Sequence, residues 1–141
     1  MKNLEAAIYN RLSNDVSLSS LAGHGIWNGI RDTEDFTEGI RKGWVTFYIF
    51  TGGDTHIAAG RFRDVQIYVR GHAHVLEGAG LTVQIDDRCG ELLHDWLPTI
   101  TGWPNTWRIV RRYTTQSAYR LKGRVQYYTS GAMYRVRYGN D

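Results

Sequence analysis

Residues 61–70 read RFRDVQIYVR, with Val65, Ile67 and Val69 facing one way and Asp64, Gln66 and Arg70 the other. Successive side chains of a strand point to opposite faces, so this period of two predicts a half-buried strand. A strand of that kind needs a sheet covered on one face only. Just upstream, Trp44–Phe50 (WVTFYIF) is aromatic and β-branched throughout. Gly43 and Gly52-Gly53 bound it, so it reads as a central strand. Residues 51–60 (TGGDTHIAAG) read as a flexible hairpin-type loop between the two.

The period then changes. Leu81, Ile85, Cys89, Leu92 and Trp96 recur at helical spacing and predict a helix over about 76–96 with one continuous buried stripe, stopped by Pro98. Asp86, Asp87, Arg88 and Glu91 fall off that stripe and read as a solvated face, with Arg88 able to pair with Glu91. At the N-terminus Leu4, Ile8 and Leu12 give a second amphipathic helix starting near Asn3, followed by a helical turn over Val16–Leu21. Ile26, Trp27 and Ile30 suggest a short strand, and the charged residues 31–43 an exposed loop. After residue 106 three strands are expected, around Trp107–Tyr113, Arg120–Tyr127 and Tyr134–Tyr138. The fold class is therefore α+β: two layers, a mainly antiparallel sheet with two principal helices on one face, in a single domain over 1–141.

Several functional classes fall away. A single cysteine, Cys89, cannot make an internal disulfide, which excludes a secreted disulfide scaffold. No run of about 18 apolar residues is present, so no membrane span or membrane partner is expected. The N-terminal MKNLEAAIYNRL has a carboxylate and an arginine where a signal peptide is apolar, and predicts a chain that stays in the cytoplasm. There is no nucleophile elbow, phosphate loop or H-E-x-x-H, no acid–base cluster converges, and neither enzyme activity nor a cofactor is expected. His72-Ala73-His74 could contribute two metal ligands, but no third lies nearby in sequence, and surface histidines are the simpler reading. Lys42-Gly43-Trp44 begins like an RNA-recognition octamer, and the match then fails at Val45, Thr46 and Phe47.

Charge is the remaining signal. Residues 1–105 hold nine Lys and Arg against thirteen Asp and Glu, and residues 106–141 hold eight against one. Arg120, Lys122 and Arg124 alternate and would project from one strand face, a footprint that suits nucleic acid or an acidic protein surface. A chain with unlike halves also suits a head-to-tail contact between copies. The expected contact sets Arg108, Arg111, Arg112, Arg120, Lys122 or Arg124 against Asp32, Glu34, Asp35 and Glu38 of a neighbour.

The order of these pieces resembles the small tail-completion, or tail-terminator, proteins of long-tailed bacteriophages. The pieces that carry the resemblance are LEAAIYNRLSNDVSLSSLAG leading to IWNGI, then WVTFYIF, RFRDVQIYVRG, GELLHDWL and a β-rich tail ending in MYRVRY. Within them Leu21-Ala22-Gly23 with Ile26, Val65-Gln66-Ile67-Tyr68-Val69, and Leu92-Leu93 match the family's pattern. Gly43 stands where the family has a proline, and the arginines after residue 106 have no counterpart there. The resemblance implies a homohexameric ring in the virion tail or neck, assembled in the host cytoplasm. Such a ring caps the major tail tube protein, ends tail polymerisation, joins tail to head through a neck or head-completion protein, and can let DNA pass. No cofactor or catalytic residue comes with it. The loop bearing Gly52, Gly53, Asp54, His56 and Gly60 is the expected tube contact. The alternatives are a head-completion protein on the portal, or a small basic nucleic-acid-binding protein.

Overall fold

A computed structural model describes residues 2–29, 43–57, 60–74, 77–103, 105–122 and 125–140, with backbone only for 51–57, 60–62, 113, 115–122, 125–126 and 139–140. Helix α1 (Lys2–Ser13) and the short α2 (Val16–Leu21) precede strand β1 (Ile26–Asn28). Strands β2 (Trp44–Ile57) and β3 (Gly60–His74), helix α3 (Ala79–Leu93), and strands β4 (Val110–Lys122) and β5 (Val125–Asn140) complete the fold. The five strands form one sheet in the order β1-β2-β3-β5-β4. All neighbours are antiparallel except β1, which runs parallel to β2. A parallel neighbour needs a long return connection, and residues 29–43 are long enough to provide it.

The α+β class, and the antiparallel pairing that dominates the sheet, agree with the sequence. One row of side chains faces the helices: Val45 and Phe47 of β2, Val65, Ile67 and Val69 of β3, and Ala132, Tyr134, Val136 and Tyr138 of β5. Against it pack Leu4, Ile8 and Leu12 of α1, and Ile85, Cys89, Leu92 and Leu93 of α3. Of the helix stripes read from the sequence, Leu4, Ile8, Leu12, Ile85, Cys89 and Leu92 are among these buried residues, whereas Leu81 is partly buried and Trp96 lies beyond α3, which ends at Leu93, short of Pro98. Helix α1 starts before Asn3, whose amide donates to the Thr101 carbonyl at 3.1 Å instead of capping. The cap is found one element later, where Asp15 accepts from the Leu18 amide at 2.8 Å at the start of α2.

Helix α3 lies close to the sheet because Gly71 carries no side chain. A Cβ there would sit 2.6 Å from Cγ2 of Ile85 and 3.3 Å from the Thr82 carbonyl. Three sequence expectations are corrected. Thr51, residues 54–57 and Gly60 are paired strand, with an irregularity at Gly52 and Gly53, because cross-strand pairing to β3 outweighs the low strand propensity of Gly and Asp. The tail holds two long strands, not three, since Lys122 pairs with Val125 and the chain doubles back inside the expected middle strand. Arg120 and Lys122 thus belong to β4, on a different strand from the residues after Arg124. Strand β3 runs past residue 70, where the alternation stops, and ends in His72-Ala73-His74.

Candidate functional site

The arginines of the tail are placed by their strands, and most described ones meet an acid of the same chain. Arg111 sits opposite Tyr134 on the helix side of the sheet, and its guanidinium donates to the Asp86 carboxylate at 2.7 Å. Asp86 is buried, so the sequence expectation of a solvated face fails there. Burial pushes its carboxyl above the usual range, opposed by the Arg111 charge. Nothing in the periodicity of α3 announces this, because the partner arrives from another strand. Gly90 makes room for it: a Cβ there would meet the Arg111 guanidinium at 2.6 Å. Beside this pair Asp87, Glu91, His94, Arg112 and Thr114 line a shallow open groove.

Asp64 on β3 takes Arg137 at 2.8 Å and Arg135 at 3.5 Å, both from β5 on the face away from the helices. The guanidinium of Arg137 also lies 5.1 Å over the Trp107 ring. Arg108 donates to the Asp95 carbonyl at 2.6 Å and stays exposed. Arg112 is exposed. Arg120 and Lys122 lie on β4 opposite Tyr127 and Val125, with their side chains outside the described residues. Arg124, Asp32, Glu34, Asp35 and Glu38 also lie outside them. Gly52, Gly53, Asp54, His56 and Gly60 are brought together as the outer end of the β2–β3 hairpin.

The face away from the helices is not uniformly wet. At one end Trp44 is 2% exposed, stacked on His72 at 5.1 Å and tilted against Tyr127 at 5.5 Å. His72 is held on both ring nitrogens, by the hydroxyls of Thr46 at 2.8 Å and Thr129 at 2.9 Å. It is therefore a buried structural histidine, and the pairing of hydroxyls around it explains its position better than metal binding. Among the described residues no three His, Cys, Asp or Glu side chains converge as metal ligands would. Further along the same face Tyr48 stacks on Tyr68 at 5.2 Å, with Phe50 edge-on to both and 53% exposed. The Arg70 guanidinium lies 5.7 Å over Tyr48. The alternation of WVTFYIF places Tyr48 and Phe50 on one face, which is the signal that could have marked this aromatic patch.

Cys89 is fully buried in α3, and burial pushes its thiol up, away from the reactive thiolate. No described helix is long and apolar enough to cross a membrane.

No protein-family model and no curated protein matches this sequence. Solved structures do match the fold. A chain from the virion of a native gene transfer agent particle superposes with a TM-score of 0.63 at 13% identity, covering 99% of this chain and 96% of that one. A second solved structure gives a TM-score of 0.62 at 14% identity over 99% of this chain and 96% of its own. At these identities what is shared is the fold, from end to end and at equal size.

Proposed function

We propose that this chain is a structural, non-catalytic protein of a phage-like particle. Its copies form a homohexameric ring that caps the tail tube, stops tube growth and joins the tail to the head. The observation that supports this most is the likeness over 99% of the chain to a chain of a gene transfer agent virion. The layout supports it too: the best-formed polar groups are ion pairs that tie strands and helices together and rigidify a scaffold. In this reading the ring stands in the neck of the virion, is assembled in the host cytoplasm, needs no cofactor, and touches the tube through the hairpin end at Gly52–Gly60. A neck or head-completion protein binds the opposite side, and DNA passes through the middle.

Within the ring, Arg112, Arg120, Lys122 and Arg124 are the cations proposed to meet a neighbour. Arg111 is engaged with Asp86 inside its own chain. The acids Asp32, Glu34, Asp35 and Glu38 are the proposed counterpart.

The test is sedimentation of the purified protein, alone and with purified tail tubes and, separately, portal rings. A species of six subunits retained by tubes is expected. Retention by portal rings instead would favour the head-completion alternative. Charge reversal of Arg120 and Arg124 together should shift the ring towards monomer, while added salt should weaken the parent ring and narrow the difference between the two. A monomer that no tube retains would sink the ring reading, and a steep salt-dependent affinity for DNA would favour the nucleic-acid alternative.

A further inference from the structure

The three helices pack on one face of the sheet, and the face away from them carries more apolar surface than a wet face needs. Phe50, Gln66, Arg135 and Val110 stand side by side across β2, β3, β5 and β4, because each pairs with the next. Both ends of this row are apolar, with Phe50 53% and Val110 42% exposed. Trp107, 47% exposed beside Arg137, adjoins the row on one side, and the stacked Tyr48 and Tyr68 adjoin it on the other. Exposed apolar side chains gathered on one surface and rimmed by charge mark a contact with another molecule. The face is also basic: its described charges are Arg70, Arg135 and Arg137 against Asp64. Asp64 is shared by the last two arginines, and Arg70 rests over Tyr48. The outer side of α3, across the molecule, has the opposite character. Val83, Asp87 and Glu91 follow one another at four-residue spacing and are all exposed. Arg88 beside them is bound to Asp15 and Glu91, and Val16, next to Asp15, is 80% exposed. Arg112 reaches the same groove as Asp87 and Glu91 from β4.

We propose that the open sheet face of one copy packs on the outer side of α3 of the next. This rests on the ring reading above and adds a packed contact to the charge pairing of the tail. Charge selects a second copy as the occupant. Arg70 and Arg135 meet Asp87 and Glu91, while Phe50 and Val110 cover Val83 and Val16. Sheet face on sheet face would instead set three arginines against three. Nor is the face a platform for bases, which need free ring faces. Tyr48 and Tyr68 turn their rings to each other with 8° between the planes, and Phe50 stands edge-on to both. The two surfaces also match in length. A helix of 15 residues, as α3 is, is about 22 Å long, and a strand covers about 20 Å from Asp64 to Arg70. Front against back is a heterologous contact, which propagates head to tail and can close into a ring.

Paired charge variants test this. Phe50→Glu with Val110→Glu alters the sheet face, and Val83→Arg with Asp87→Arg alters α3. All four positions are exposed, so both proteins should unfold within a few degrees of the parent. Each variant alone is expected to sediment as one subunit under conditions where the parent forms rings. Mixed in equal amounts, the two should reassemble. The untouched sheet face of one then meets the untouched α3 of the other, and at the next boundary glutamates meet arginines. If both variants form rings as the parent does, this contact is wrong and the ring stands. If only one of them falls apart, or the mixture stays at one subunit, the two surfaces do not meet each other and the proposal is overturned. A sheet variant that keeps its rings but loses tail tubes or DNA assigns the face to that partner instead. A parent that is one subunit both in solution and on tubes removes the ring reading, and this contact with it.

Discussion

Asp15 has two roles at the junction of α1 and α2. It caps α2 through the Leu18 amide and receives two guanidinium nitrogens of Arg88 from α3, at 2.6 and 2.9 Å. Bonding to Arg88 holds its carboxyl down to about 2, below the ordinary value of 3.8. The sign follows from linkage: a depressed carboxyl contributes stability that is fully present above its unfolded value and is lost as pH falls towards its folded one. Asp86 acts in the opposite direction, because burial raises its carboxyl and its contribution weakens as pH rises through that raised value. Asn still caps a helix, so Asp15→Asn removes the charge and spares the cap. With Arg88 partly exposed, the variant should lose about 1 kcal/mol near pH 6 after discounting for solvent. That deficit should shrink towards zero between pH 4 and pH 2, as urea unfolding of both proteins across this range would reveal. A deficit independent of pH would mean that the charge on Asp15 contributes nothing.

At the scale of elements, β3 and α3 were legible because each has one unbroken period: Val65, Ile67 and Val69 at two, and Ile85, Cys89 and Leu92 at helical spacing, all buried. The last strand was legible for the same reason, with Tyr134, Val136 and Tyr138 buried in one row. The extension of β2 through residues 51–57 was not, since Gly52, Gly53 and Asp54 carry turn chemistry, and only the pairing to β3 that resumes at Asp54 carries the strand past the irregularity at the two glycines. The reversal between Lys122 and Val125 was hidden because alternation continues through it on both sides. The candidate ring residues were only partly legible: the charge imbalance is plain in the sequence, but which arginines are already paired depends on contacts such as Arg111–Asp86 and Arg137–Asp64. Where α3 meets β3, the sequence gives Gly71 without its reason, which is the approach of Ile85. Gly71→Ala should therefore cost about 2 kcal/mol, in the range for overpacking a filled core. Adding Ile85→Val should not restore it, because the Ile85 Cβ, retained by valine, would itself lie 2.9 Å from the new methyl. Chemical denaturation of both variants measures this, and an unchanged midpoint for G71A would mean that α3 shifts freely on the sheet.

For the molecule as a whole, the imbalance between an acidic first part and a basic tail is partly neutralised inside the chain, where Asp64, Asp86 and Asp95 meet Arg135, Arg137, Arg111 and Arg108. Those pairs tie the last two strands to the rest, while Arg112 stands exposed. The two ends of the sheet differ in the same way. Near Trp44, His72 and Thr129 it is locked by stacking and hydroxyl bonds. At the opposite end the β2–β3 hairpin reaches Ile57 and Gly60, past Val65, the last core residue in that direction among those described on β3. A part that extends beyond the core can be shortened at little cost to stability, and a part that binds cannot be shortened without loss of binding. Asp54 pairs with Arg63. Replacing residues 55–62 by Asn-Gly would join them through a two-residue turn whose twist suits an antiparallel pair. The shortened protein should unfold cooperatively within about 1 kcal/mol of the parent, as surface changes away from the core do. It should also sediment as the same ring, because Arg112, Arg120, Lys122 and Arg124 and their proposed acidic counterparts all lie outside the removed segment. What it should lose is retention by tail tubes, by at least tenfold in co-sedimentation. If it still binds tubes as the parent does, the tube contact lies elsewhere on the ring, and the groove beside Arg112 and His94 becomes the surface to test next.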